Sequence, residues 1–171
     1  GRADTDGNVY SSEYAFKVGS SVNDNQTRRV YYYHNTISFP NAVRNGNGIQ
    51  NAGGIYFSGI VSRNNLWRVS RQVFQLTLPT SVVNHTMDCD NLHNPGTKTD
   101  NNFIRWSNTG GPLGNGVYPE LSSYQSYTSQ ELHGISNNAT LFNPDYTLQS
   151  GSPEIDAGCI IVGFNDRAPW A

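Results

Sequence analysis

Short β-prone runs alternate with polar amides along this chain. Val30 to Tyr33, Gly59 to Ser62 and Val82 to Met87 are such runs. Each leads into an amide or acid, then a second polar residue, then an aliphatic: Asn35-Thr36-Ile37, Asn64-Asn65-Leu66, Asp90-Asn91-Leu92. A gapless alignment matches Tyr33-His34-Asn35-Thr36-Ile37 with Ser62-Arg63-Asn64-Asn65-Leu66, and both with Cys89 to Leu92. The repeat distances are 29 and 26 residues, from Asn35 to Asn64 and from Asn64 to Asp90. An amide between two short strands predicts a turn, in which its side chain bonds backbone or a stacked copy of itself. The aliphatic then starts the next inward-facing strand. One strand–turn–strand unit per period is the signature of a solenoid, whose coils bury a core only by stacking.

About three such coils fit within residues 8–107. Looser loops are expected from Phe39 to Gly54 and from Asn94 to Asn102. Residues 108–120 are Gly- and Pro-rich. Leu121, Tyr124 and Leu132 are spaced for a short amphipathic helix within 121–133. Ala139 to Pro144 and Tyr146 to Leu148 read as strands, Gly151-Ser152-Pro153 as a turn, and Glu154 to Gly158 leads into the apolar run Cys159 to Val162. The tail from Asn165 has no clear pattern. The chain thus divides into coils (1–107) and a C-terminal coil, helix and closing segment of the same domain (108–171).

Composition supports the β reading. Apolar residues make up 36% and charged residues 14% of the chain. Asn, Ser, Thr, Gly and Tyr fill the gap, a mixture poor for helices and suited to strands and turns. The net charge of −2, with no basic stripe, disfavours nucleic acid as a partner. No apolar run is long enough to span a bilayer. The start at Gly1 is read as a product of processing, cleavage or design. Cys89 and Cys159 have no zinc-knuckle spacing and read first as two buried small side chains, with a single disulfide as the alternative. The sequons at Asn25, Asn84 and Asn138 are no more than an Asn-rich chain produces by chance.

The segment Leu141-Phe142-Asn143-Pro144 through Leu148-Gln149-Ser150-Gly151-Ser152-Pro153-Glu154-Ile155-Asp156-Ala157-Gly158 resembles the closing motif of right-handed parallel β-helix proteins of the pectate-lyase-like kind. Tyr124 to His133 is similar to the short helix segment that precedes it there, and the resemblance covers most of residues 29–166. It implies an all-β, right-handed parallel β-helix, seen here in its C-terminal portion. It also implies an extracellular protein, secreted or on the cell surface, that acts on or binds a polysaccharide. The rival reading is a non-catalytic structural, adhesive or filament-forming solenoid, because this fold hosts both. Chains of this kind usually carry more coils before this point and a further strand after Asn165-Asp166. The expectation is therefore an excised or nicked piece, with its open N-terminal face covered by preceding coils of the same or another chain.

Lyases on this fold typically hold Ca²⁺ with carboxylates and use Arg or Lys as base; its hydrolases use paired Asp. Asp88 and Asp90 are the local carboxylates, two apart and expected on one side of a strand, where they would bind Ca²⁺ or share acid/base work. The alternative makes Asp90 the turn amide position and Asp88 a solvated edge. His34 and Arg63 occupy equivalent positions in the gapless alignment, which would stack a cation and an imidazole on an outer face for an anionic sugar. Tyr32 and Trp67 are the expected sugar platforms, with a core role as the alternative. Arg63 is the remaining catalytic candidate. Arg68 and Arg105 stand alone, Glu131 and His133 suggest a packing or salt-bridge role on the short helix, and Asp156 is expected to bond backbone in its turn.

Overall fold

A computed structural model describes residues 12–18, 27–39, 45–51, 57–76, 84–94, 103–106, 110–136, 142–145 and 147–163. It consists mostly of strands in parallel sheets, with one short helix. The largest sheet runs β1 (Ser12–Val18), β5 (Asn45–Asn51), β9 (Phe74–Leu76), β12 (Ile104–Trp106) and β13 (Val117–Tyr118). All its pairings are parallel except the last, β12 with β13. Two three-stranded parallel sheets flank it. One holds β3 (Tyr31–Tyr33), β7 (Val61–Arg63) and β10 (Thr86–Asp88); the other holds β4 (Thr36–Phe39), β8 (Leu66–Val69) and β11 (Asn91–His93). A two-stranded ladder pairs β2 (Thr27–Arg28) with β6 (Phe57–Ser58).

Successive segments therefore lie on one another as tiers. Their register is not that of the gapless alignment. Tyr33 pairs with Arg63 and Arg63 with Asp88; Thr36 pairs with Leu66 and Leu66 with Asn91. Hydrogen bonds between equivalent side chains join residues 30 and 25 apart, Asn35 to Asn65 and Asn65 to Asp90. His34 thus stands over Asn64 rather than Arg63.

The cause is a column of left-handed turn residues. His34, Asn64 and Cys89 have φ of 54°, 57° and 62°, and Arg29, Gly59 and Asn84 have 58°, 71° and 61°. One residue in this conformation reverses the pleat and turns the chain a corner between two short strands. Asn and His tolerate it better than most side chains.

Inside, three columns of buried side chains, apolar except for Ser62, fill the tiers. Ile37, Trp67 and Leu92 stack in register, as do Ile49, Phe74 and Ile104. Tyr32, Ser62 and Met87 form the third. Phe16, Tyr32, Trp67 and Phe74 form a chain of ring contacts at 4.4–6.3 Å. The segment 45–51, expected as loop, is strand β5. Gly48 is required there, since a Cβ would overlap the Val73 carbonyl oxygen and touch the Trp67 ring.

Helix α1 (Leu121–Thr128) is shorter than the span expected for it. It ends at Ser129, which is left-handed at φ 55° and donates its N–H to the Gln125 carbonyl. The helix sets Tyr124 on the last tier, fully buried against Trp106 and Tyr118, each with ring centres 5.4 Å away. Ile135 then extends the β11 edge, donating to the Asp90 carbonyl and accepting from Leu92.

The closing segment forms no strand among the described residues. Phe142 and Leu148 make one isolated antiparallel bridge, and Ile160 and Val162 are exposed. The segment runs back across the turn column instead: Glu154 bonds Asn91, Cys159 is bonded to Cys89, and Asn64 clasps both the N–H and the C=O of Cys159. The cysteines, read first as unpaired, form a disulfide with Cα atoms 5.7 Å apart across 70 residues. Closing a loop of that length stabilises by about 4 kcal/mol in the chain-entropy picture. The expected bonding of turn backbone by Asp156 is not seen; Glu154 instead ties the turn through side chains, accepting from the Ser152 hydroxyl as well as from Asn91. Asp156 itself is exposed and left-handed at φ 60°. The sequons at Asn25 and Asn138, the tail from Asn165, and the loop 95–102 lie outside the described residues.

Candidate functional site

Two rows of polar side chains run up the stack, one on each side of the turn column. The inner row is Asn35, Asn65 and Asp90. Asn65 accepts from both the backbone and the side-chain N–H of Asn35 through Oδ1, at 2.9 and 2.8 Å. It donates in turn to Asp90 Oδ1 from its backbone N–H (2.8 Å) and its amide (3.0 Å). The other Asp90 oxygen accepts from the Ser62 hydroxyl and from the Trp67 indole at 3.4 Å. Asp90 is fully buried, and every one of these bonds replaces lost hydration.

A second buried carboxyl completes this row. Glu131, left-handed at φ 53°, accepts the Asp90 backbone N–H at 3.1 Å through Oε2, which brings the two carboxyls close together. Burial pushes the Asp90 carboxyl up, and the bonds from Ser62 and Asn65 only partly offset it. Burial, then the charge of Asp90, push Glu131 well above the ordinary glutamate range. Both carboxyls are thus easier to protonate than in water, Glu131 the more so. Gly134 makes room for it: a Cβ there would lie 2.5 Å from Glu131 Oε2.

The outer row is Tyr33, Arg63 and Asp88, next to the row Tyr31, Val61 and Thr86. Tyr31 is 57% exposed, and its ring centre lies 5.9 Å from that of Tyr33. The Arg63 guanidinium donates to the Ser62 and Thr86 carbonyls at 2.8 and 3.0 Å. It makes no ion pair among the described residues. Asp88 accepts from the His133 backbone N–H at 2.8 Å and contacts its ring Nδ1 at 2.9 Å. Partial burial pushes the Asp88 carboxyl up, but the His133 bonds and charge and the Cys89 N–H outweigh it, so it sits below its ordinary range.

The expected site residues are redistributed accordingly. Asp88 and Asp90 do not share a side, because left-handed Cys89 between them breaks the two-residue alternation. Asp90 is thereby a core residue, unable to hold Ca²⁺ or meet a substrate, and Asp88 alone is outside. Tyr32 and Trp67, expected as platforms, are 6% and 0% exposed and belong to the core; burial raises the Tyr32 hydroxyl to about 12. On that outer face Tyr31 is exposed and Tyr33 beside it is half-buried. His34 is exposed, on the turn column beside Arg63 rather than stacked on it. Arg68 and Arg105 are half-buried on separate sheets. Glu131 and His133 lie beyond the helix, and sequence reasoning missed their pairing with Asp90 and Asp88. No local signal announces it, since the partners are 41 and 45 residues away.

Beside the turn column, the closing segment and the tiers enclose an open cleft of about 190 Å³, lined among others by His34, Asn35, Asn64, Asn91, Glu154 and Gly158. Its walls are amide-rich and offer Glu154 as their one carboxylate among the lining residues. Near it, the sulfurs of Cys89 and Cys159 and a ring nitrogen of His133 lie within 4.8 Å of one another. No helix among the described residues is long and apolar enough to cross a membrane. Comparison with known protein families, with curated proteins and with solved structures finds no match for this chain.

Proposed function

We propose that the tiers are coils of a right-handed parallel β-helix of the pectate-lyase-like kind, and that this chain holds an extracellular polysaccharide on its outer face. The observation that carries the reading is the exposed Tyr31 ring, set beside half-buried Tyr33, with Arg63 on the neighbouring strand. Ring faces on a flat sheet pack against the C–H faces of sugars, and a guanidinium without an ionic partner complements an acidic sugar. His34 extends this surface toward the amide-lined cleft. The disulfide fits a secreted or cell-surface location. β1, β2, β3 and β4 each have a paired neighbour on one side only among the described strands, which supports preceding coils as the partner that covers that face.

Within these coils the role is binding without turnover. Catalysis on a sugar acid needs two or more carboxylates with a cation in reach of one substrate. Asp90 is sealed in the core and Asp88 is committed to His133, so the described residues gather no such set. A panel of pectins, alginates and glycosaminoglycans tests the reading by affinity electrophoresis together with an assay for unsaturated products and new reducing ends. Retardation by an acidic polysaccharide, weakened in Tyr31→Ala and in Arg63→Ala, is expected, with no product formed. Absence of retardation by every polysaccharide, acidic or neutral, would overturn it in favour of a purely structural solenoid.

A further inference from the structure

The disulfide, His133 and Asp88 form a cluster that the saccharide reading leaves unused. Cys89 is buried on the turn column, Cys159 arrives from the closing segment, and His133 comes from the segment after the helix. Their two sulfurs and one ring nitrogen all lie within 4.8 Å of one another. Tetrahedral zinc with thiolate bonds of about 2.3 Å and imidazole bonds of about 2.0 Å places its ligand atoms about 3.3–3.8 Å apart. The three groups need to shift by only about an ångström to meet that geometry. The cysteine Cα separation of 5.7 Å suits a bridging metal as well as a direct sulfur–sulfur bond.

We infer that the reduced form of this protein binds one Zn²⁺ through Cys89, Cys159 and His133. Asp88 supplies the outer support. Its carboxylate holds His133 at Nδ1 and at the backbone N–H, which orients the ring and leaves Nε2 as the coordinating nitrogen. A carboxylate behind a metal-bound imidazole is the usual arrangement, fixing the tautomer and raising ligand basicity. The His133 side chain is 71% exposed, so the fourth position opens to solvent, as in sites that keep a water or take an outside ligand.

The two states exclude each other. Two molecules of an external thiol reduce the disulfide: each gives one electron and one proton, the protein gains two thiols, and the external thiols leave joined as their own disulfide. Zn²⁺ then displaces the two cysteine protons to solvent as both Zn–S bonds form. The reverse exchange with an external disulfide, which takes two electrons and two protons to become two thiols, releases Zn²⁺ and restores the cross-link. The closing segment stays pinned to the turn column in both states.

The test uses the whole chain, reduced with a phosphine and then desalted without oxygen. Co²⁺ serves as the spectroscopic probe and Zn²⁺ as its competitor. One Co²⁺ per chain is expected, with thiolate charge-transfer and tetrahedral ligand-field absorption, displaced by one Zn²⁺. The untreated disulfide form should show neither band. His133→Ala should weaken binding by more than the roughly 10–100-fold expected of Asp88→Asn. No stoichiometric band in the reduced chain, or equal affinity in His133→Ala, overturns the proposal. If reduction alone loosens the fold, fluorescence of buried Trp67 and Trp106 follows it. Zn²⁺ should then restore the folded signal, and failure to do so is equally contrary.

Discussion

Asp88 and Asp90 are separated by one residue and live in different solvents. Asp90 closes a buried ladder in which each acceptor is matched by donors from Ser62, Asn65 and Trp67. Asp88 stands on the outer row, half in water, with one histidine as its partner. Left-handed Cys89 between them is the whole cause. The same division holds in the other tiers, where His34 and Asn64 part the Tyr33 and Arg63 positions from Asn35 and Asn65. The inner row specifies how the tiers stack and tolerates no loss. The outer row, Tyr33, Arg63 and Asp88, is half-buried and reaches solvent.

Substitutions should separate the rows sharply. Asp90→Ala strands the Ser62 hydroxyl, the Asn65 N–H and the Trp67 indole in the core, and is expected to cost about 3–5 kcal/mol by urea unfolding. Asp88→Ala should cost under about 1 kcal/mol in the same assay. Equal costs would mean that both acids face the same way. Gly134→Ala crowds the Glu131 carboxyl and carbonyl and should cost about 1–3 kcal/mol, again through the inner row.

The raised Glu131 carboxyl gives the inner row a pH signature. Glu131 has a raised carboxyl in the folded chain. Between the ordinary glutamate value near 4.3 and that raised value, the folded chain keeps a proton the unfolded chain has lost. Its stabilising contribution is therefore full below the ordinary value and is lost as pH rises through the folded one, at up to about 1.4 kcal/mol per pH unit. Glu131→Gln keeps a donor toward Asp90 and an acceptor for its N–H without needing the proton. Unfolding curves across pH should show the wild-type slope and its absence in this variant. The smallest stability effect belongs to the outer row: Tyr31→Ala should change stability by less than about 0.5 kcal/mol, yet weaken polysaccharide binding by roughly 2- to 10-fold.

Much of the β character was legible. The runs ending at Tyr33, near Ser62 and near Met87 are strands, and a helix begins at Leu121. The register was not, and the error was a single residue. Matching like with like pairs Asn35 with Asn64, but the ladder joins Asn35, Asn65 and Asp90, and the turn column joins His34, Asn64 and Cys89. Backbone conformation defines that column, and three unlike side chains fill it. That slip stacked His34 on Arg63, while the unforeseen left-handed Cys89 undid the alternation that put Asp88 and Asp90 together. Strand β5 was hidden because Asn47 and Gly48 look like loop residues; Asn47 spends its amide on Gln75 and its carbonyl on the Gln72 N–H. Glu131 and the disulfide depend on tertiary proximity, which no local pattern carries.

Carboxyl carbon titrations of Asp88 and Asp90, followed residue by residue by NMR, probe the turn column most directly. The account predicts that Asp88 titrates below the ordinary aspartate value and that Asp90 titrates above it, coupled to Glu131. Two aspartates titrating together in the ordinary range would place both carboxyls in water and contradict it.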